Sequence, residues 1–305
     1  MIFYNREVEL QLLNEVKKLS YKSSKMTVVF GRRRIGKTKL ILKSAEKNAF
    51  LYFFVARKDE KLLCSEFAEE AQNKLGIKIL GNIDKFKDLF ELLLNHSIHK
   101  PFTLIIDEFQ EFNRINPAVF SEMQNIWDQN KDKTKLNLIL SGSVYTLMKK
   151  IFEHSKEPLF GRADEKINLK PFSIDVLKQI FSENAVQKNM KDLLAFYTIT
   201  GGIAKYVEIF NDKKAFTLNK MLDVFFRENS LFLEEGKNIL IEEFGKEYAI
   251  YFSILSLIAS FKTSRSEIES ILGKDIGGYL DKLENEYYII KKIKPIIIII
   301  VILFI

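Results

Sequence analysis

Apolar and polar positions follow two different periods along this chain. Val8, Leu12, Val16 and Leu19 recur at helical spacing behind Asn5, a residue suited to an N-cap, so the pattern predicts an amphipathic helix over residues 6–19. Continuous apolar runs rich in β-branched and aromatic residues come next: KMTVVF (Lys25–Phe30), AFLYFFVA (49–56), FTLIIDEF (102–109) and LNLILSGS (136–143). Each predicts a strand buried on both faces. A helical stretch, TKLILKSAEK, follows the first run. Such strands alternating with helices predict an α/β fold with a parallel sheet covered on both sides.

The pattern changes after Pro171. Up to about Gly245 it is helical throughout, as in SIDVLKQIFSE and FTLNKMLDVFFREN, and predicts a helical lid subdomain. From Lys246, three helical segments followed by a β-branched end predict a winged helix. The expected organisation is a core over 1–170, a lid over 171–245, a truncated winged-helix-like domain over 246–295 and an apolar tail over 296–305. No repeat of solenoid period is present. The tail reads IIIIIVILFI. It is too short for a membrane helix, which needs ~20 residues, and such a run favours aggregation. It points to a reading frame broken near Pro295, which resequencing of the gene would test.

Composition adds bounds. The length of 305 residues suggests about two domains. A hydrophobic fraction of 47% beside 29% charged residues suits a soluble globular chain, and a net charge of +7 permits a polyanionic partner without requiring one. A single cysteine, Cys64, excludes an internal disulfide and a cysteine-based metal cluster. The N-terminus has no apolar signal core, and both points fit a cytoplasmic protein. His96 and His99 stand at i, i+3 near a predicted helix end with no further ligand nearby, and read as solvated residues.

The chemistry concentrates after the first strand. GRRRIGKT matches G-x-x-x-x-G-K-[ST], in the strand-to-helix context that the motif requires. Gly31 and Gly36 let the backbone curl so that N–H groups face phosphate, and the helix that follows adds its positive end. Lys37 is expected on the β- and γ-phosphates and Thr38 on Mg²⁺. The candidate nucleotide contacts are Gly31, Arg32, Arg33, Arg34, Ile35, Gly36, Lys37, Thr38 and Lys39. Arg32, Arg33 and Arg34 are not needed to cradle phosphate. They raise the local positive potential, pair with an acid, or meet a partner.

In LIIDEFQ, Asp107 ends a hydrophobic strand and is expected to hold Mg²⁺ through water, while Glu108 is placed to orient and polarise an attacking water. An Asp-Glu pair favours hydrolysis over simple nucleotide storage. Ser143 or Ser141, at the end of the fourth strand, is the candidate γ-phosphate sensor. NKDK (130–133) does not match guanine-reading N-K-x-D and precedes a strand, so ATP is expected over GTP.

Six blocks in order, FYNREVELQLL, FGRRRIGKT, LIIDEFQ, LILSGS, PLFGRADEKINLKPF and TGGIAKYVEIF, resemble the archaeal/bacterial AAA-type ATPase family, STAND-like P-loop NTPases that often carry a C-terminal winged helix. The resemblance runs from about Ile2 to Pro295. It implies ATP and Mg²⁺ as cofactors, places Arg6 and Glu7 near the adenine end, and makes Arg162 a candidate arginine finger, in cis or from a neighbouring copy in a homo-oligomer. It also marks a departure: the family often has Gly-Gly-Ile-Pro where this chain has Gly201 to Ala204, GGIA.

The expected function is a Mg-dependent ATP-binding and hydrolysing protein acting as a nucleotide-driven conformational switch. The alternative is a nucleotide-gated DNA-binding protein that uses the winged helix. Its candidate recognition helix opposes that, since Asp275, Asp281, Glu284 and Glu286 outnumber Lys282 and phosphate repels acids. A protein contact is the other reading of this module.

Overall fold

Each of the four apolar runs forms a strand in the computed structural model of the chain, which describes residues 4–79, 81–187, 189–232, 241, 244–286 and 289–290. A compact unit over Asn5–Lys170 holds them. Its strands are β1 (Lys25–Phe30), β2 (Phe50–Phe54), β3 (Phe102–Asp107), β4 (Leu136–Gly142) and β5 (Glu165–Asn168). They pair in parallel in the order β2-β3-β4-β1-β5. The fifth strand is a feature that the apolar pattern does not announce. EKIN has one apolar residue, and pairing draws it in: Thr27 aligns with Glu165, and Asp164 Oδ2 accepts from Met26 N at 2.8 Å just before the strand begins.

The helices of this unit are α1 (Glu7–Ser20), α2 (Lys37–Ala45), α3 (Glu60–Leu75), α4 (Phe86–His96), α5 (Phe112–Ile115), α6 (Ala118–Asn130) and α7 (Tyr145–Glu153). Asn5 does not cap α1. The N-cap position falls on Arg6, at φ 122°, and no side chain bonds the first turn. Glu7 and Glu9 supply negative charge there instead.

Strand register gives the sheet two unlike faces. Met26, Val28, Leu51, Phe53, Leu104, Ile106, Leu138 and Leu140 point to one side and join the apolar faces of α3, α4, α6 and α7 in a single core. Phe53 stacks on Phe67 there at 4.2 Å. The other side, against α1 and α2, carries Thr27, Thr103, Asp107, Asn137 and Ser141, all buried. A polar row inside a sheet face is expensive unless it is bonded or used.

A second unit holds Tyr4 and the described residues from Pro171 onward. Its helices are α8 (Ile174–Asn184), α9 (Met190–Thr200), α10 (Ala204–Asp212), α11 (Leu218–Phe225), α12 (Tyr248–Ala259), α13 (Arg265–Leu272) and α14 (Gly277–Asp281), the last continuing as a π-turn over Lys282–Glu286. Ser173, Asn189, Thr217 and Ser264 cap α8, α9, α11 and α13 with side-chain oxygens, which is why these helices start where they do. Helices α12 to α14 enclose a core of Ile254, Leu255, Ile268, Ile276 and Leu280. The basic stretch after them, Lys291 to Lys294, and the apolar run 296–305 lie outside the described residues.

Candidate functional site

Gly31 and Gly36 shape the turn that leaves β1. Their φ values are 148° and 93°, in a region that favours glycine. A Cβ on Gly31 would lie 2.5 Å from the Leu169 carbonyl oxygen and 2.7 Å from Ile35 Cδ1. Leu169 N donates to Phe30 O at 2.8 Å, so the chain leaving β5 closes against the base of the loop. Ile35 is buried, whereas Arg32, Arg33 and Lys39 are exposed and Arg34 is half-buried. Gly36 then N-caps α2 in the left-handed conformation, which aims the first turn of that helix at the loop's concavity.

Lys37 is buried, and its ammonium donates to Gly31 O and Arg32 O at 2.9 Å each. The loop thereby folds a cation over itself. Thr38 Oγ1 donates to Asp107 Oδ2 at 2.7 Å, and Tyr52 OH donates to the same oxygen at 2.9 Å. Burial, and then the charge of Asp107, raise the Tyr52 pKa, so the phenol stays a donor. Sequence reasoning missed Tyr52. Only the pairing of β2 with β3, which aligns Tyr52 with Ile105, brings its ring to the face that carries Asp107.

Glu108 follows in the left-handed region, φ 54°, and begins a 3₁₀ turn. Its Oε2 accepts from Ser143 Oγ at 2.7 Å and from Gln110 Nε2 at 2.5 Å. Ser143 thus meets the second acid. Ser141, two residues back, is fully buried beside β3, and its hydroxyl has no partner among the described residues. Gln110 is the other residue that the motif reading passed over. It is buried, and a Cβ on Gly142 would collide with its Oε1, so the glycine makes room for it.

Lys37, Thr38, Asp107, Glu108 and Ser143 therefore meet beyond the carboxyl ends of β1, β3 and β4. Thr38 and Asp107 present oxygens, the donor type that Mg²⁺ takes through one or two protein groups. The glycine cradle and Lys37 suit a polyphosphate.

Arg6 lies beside the base of the loop, through the chain that leaves β5, whereas Arg162 lies elsewhere. Arg6 is buried, donating to Lys170 O at 2.7 Å and to Glu9 Oε1 at 3.2 Å. It ties the start of α1 to the chain beyond β5. Burial lowers its pKa. Arg162 donates to Asp128 Oδ2 at 3.0 Å and to Phe160 O at 2.8 Å, three residues before β5. Since β5 runs parallel to β1, this is the amino edge of the sheet. The phosphate loop is at the other edge, on the order of 20 Å away along a six-residue strand. An arginine reaches about a third of that distance, so a finger in cis is corrected by the direction of the strand.

His96 packs edge-on to Phe102, and no cluster of metal-ligating side chains occurs among the described residues. Ala204 is the first residue of α10, a position where proline is tolerated, so the departure at GGIA leaves the helix start unchanged. Gly202 keeps its place because Phe172 N bonds its carbonyl at 2.8 Å and a Cβ would strike Phe172 O. Among the described residues, no helix is long and apolar enough to cross a membrane.

Comparison with known proteins agrees with this architecture. An uncharacterised protein of Methanocaldococcus jannaschii is 31% identical over 285 residues, which is 92% of this chain; the chain spans 60% of that relative's length. The Walker-type ATPase of Pyrococcus abyssi matches with a TM-score of 0.69 at 19% identity, over 96% of this chain and 92% of that one. The ORC2 protein of Aeropyrum pernix, in ADPNP–ADP complexes, matches with a TM-score of 0.56 at 12% identity, over 92% and 81% of the two chains. A sequence profile described as an ATPase domain predominantly from Archaea matches residues 3–210. The chain belongs to that family of archaeal ATPases.

Proposed function

We propose that the chain binds Mg·ATP on the loop from Gly31 to Thr38 and hydrolyses it, and that the nucleotide state sets a conformational switch. The observation that supports this most directly is the pair of linked contacts, Thr38 to Asp107 and Ser143 to Glu108, at neighbouring strand ends. Thr38 and Asp107 would hold Mg²⁺, which when bound neutralises phosphate charge. Backbone N–H groups of the loop and Lys37 would bind the phosphates. Glu108 would accept hydrogen bonding from the attacking water, and Ser143 and Gln110 keep its carboxylate in one orientation. A base held in place gains through positioning as well as through proton affinity.

Arg162 enters this reading only across an interface between copies, where the arginine of one copy would meet the γ-phosphate held by the other and make the active form an oligomer. DNA binding through residues 246–295 has less support: α14 and its π-turn carry Asp281 and Glu284 against Lys282.

Steady-state ATP hydrolysis with Mg²⁺ tests the reading. Wild type turns over, Glu108→Gln binds ATP without hydrolysis, and Lys37→Ala loses binding. Equal turnover by wild type and Glu108→Gln would remove Glu108 from the chemistry. Full ATP affinity in Lys37→Ala would remove the loop.

A further inference from the structure

In a parallel sheet all the loops that enter strands lie at one edge, and here that edge is opposite the phosphate loop. Lysines crowd it. Lys17, Lys18, Lys22 and Lys25 lead into β1, Lys47 into β2, Lys100 into β3, and Lys131, Lys133 and Lys135 into β4. Lys18, Lys22, Lys47, Lys100 and Lys133 are exposed. Among the described residues, Lys25 is the one member of this group with an acidic partner, Asp164 at 3.2 Å. The other acids close by in sequence are Glu15, Glu46, Asp128 and Asp132; of these Glu46 pairs with Lys43 and Asp128 with Arg162, so neither is bound to a lysine of the rim.

The loops that carry these lysines are fixed to one another. Ser24 N donates to Lys131 O at 2.8 Å, and Ser24 Oγ pairs with Thr134 Oγ1 at 2.6 Å. Ser24 Oγ also accepts from Leu136 N at 2.8 Å, and Ser97 Oγ accepts from Lys135 N at 3.0 Å. Thr103 N donates to Ala49 O at 3.1 Å. Ser24, Ser97 and Thr134 are all buried. The lysines therefore stand on a rigid floor and cannot spread apart by loop motion alone. Their mutual repulsion is felt: burial, and then Lys47, lower the pKa of Lys17.

Between the loops sits a cavity of about 40 Å³ bounded by Lys17, Tyr21, Asn48, Thr103 and Asn137. Asn137 is buried and donates Nδ2 to Thr103 Oγ1 at 3.1 Å, while its Oδ1 has no partner among the described residues. The hollow at the centre of the rim is polar. Charge follows the same division. Residues 5–170 hold 30 basic and 22 acidic side chains, the rest of the chain 17 and 18, so the whole positive excess belongs to this unit.

We propose that this lysine rim is a docking surface for the phosphodiester backbone of a nucleic acid. Apart from Lys25, which meets Asp164, and Lys17, which donates to Ser44 O and Asn48 Oδ1, these are like charges gathered on a fixed floor; a polyanion relieves them, and condensed counterions leave as it binds. A bilayer would ask for a continuous apolar face to insert, and the exposed apolar side chains on these loops, Leu19, Tyr21 and Ile98, are three single residues among the lysines. The surface is distinct from the ATP site and does not depend on hydrolysis. It also differs from the acidic α14, the candidate groove-reading helix of the alternative reading.

The test is fluorescence anisotropy of the full chain with a labelled duplex of about two helical turns, roughly 21 bp, and with a single-stranded RNA of similar length, across a salt series. With about four lysines engaged, log K falls against log salt with a slope of roughly −3.6. A Lys22→Ala/Lys100→Ala/Lys133→Ala variant is expected to lose at least about tenfold in affinity and up to about 2.7 of that slope, for whichever nucleic acid binds. Its ATP affinity stays at the wild-type value, which shows that it is folded. A Lys274→Ala/Lys282→Ala variant on the second unit is expected to bind as wild type does. The proposal is overturned if the triple variant keeps wild-type affinity and slope. It is equally overturned if binding is lost with Lys274 and Lys282 instead. Wild type that binds phosphatidylserine vesicles but neither nucleic acid would also overturn it.

Discussion

Thr38 Oγ1 lies 2.7 Å from Asp107 Oδ2, joining the first turn of the helix after the phosphate loop to the end of β3. The bond links two strands that are not neighbours, since β4 lies between β1 and β3. It sets the hydroxyl and the carboxylate as one oxygen pair. Asp107→Asn is expected to abolish the Mg²⁺ dependence of ATP affinity, with a loss of roughly tenfold or more in the presence of metal. Calorimetric titration with Mg²⁺ and with EDTA reads both values. A variant as Mg²⁺-dependent as wild type would move the metal elsewhere.

Glu108 takes two donors on one oxygen, Ser143 and Gln110. Removing Gln110 leaves the acid in place but lets it turn. Gln110→Ala is expected to lower kcat by roughly tenfold with KM for ATP unchanged, because the contact acts on position and not on substrate binding. A parallel rise in KM would assign Gln110 to the loop's shape instead.

Much of this was legible in the sequence, and the limits have physical causes. Strands buried on both faces advertise themselves as apolar runs, so β1 to β4 and their parallel order of chemistry could be read directly. The loop motif places Lys37 and Thr38 because its spacing is set by backbone geometry. β5 was hidden because EKIN joins the sheet by pairing with β1, with little side-chain burial to mark it. Tyr52 and Gln110 were hidden for a related reason. Their contacts depend on strand register and on the small Gly142, which are facts of three dimensions.

Gly142 makes a stability prediction. A methyl there would collide with Gln110 Oε1 and Met148 Sδ inside a packed region. Gly142→Ala is expected to cost about 1–3 kcal/mol, read as a lower thermal midpoint, and to reduce turnover by displacing Gln110. An unchanged midpoint would mean that α7, which carries Met148, shifts freely.

Cys64 is fully buried on α3, and burial, followed by the charge of Glu60, pushes its thiol up to about 12. The folded pKa lies above the ordinary value of 9.0, so the stabilisation from keeping the thiol neutral is complete below about pH 9 and fades as pH rises toward about 12. At neutral pH the thiol is expected to resist Ellman's reagent in the native protein and to react at once in denaturant. Rapid native labelling would show that the core around α3 opens readily.

Arg162 stands at the amino edge of the sheet, bound to Asp128 at 3.0 Å, while Lys37, Thr38, Asp107 and Glu108 gather at the carboxyl edge. An exposed pair of this kind contributes little to stability, so Arg162→Ala is expected to fold normally. If the arginine serves a neighbouring copy, two defects complement each other. Arg162→Ala keeps an intact phosphate loop but offers no finger. Lys37→Ala keeps the finger but binds no nucleotide. Each alone is expected to be inactive, and an equimolar mixture is expected to regain part of the wild-type turnover, because mixed assemblies place a good finger against a good loop. Activity in Arg162→Ala alone would remove the arginine from the chemistry. Silence in a mixture that sediments as a mixed oligomer would remove it from the interface.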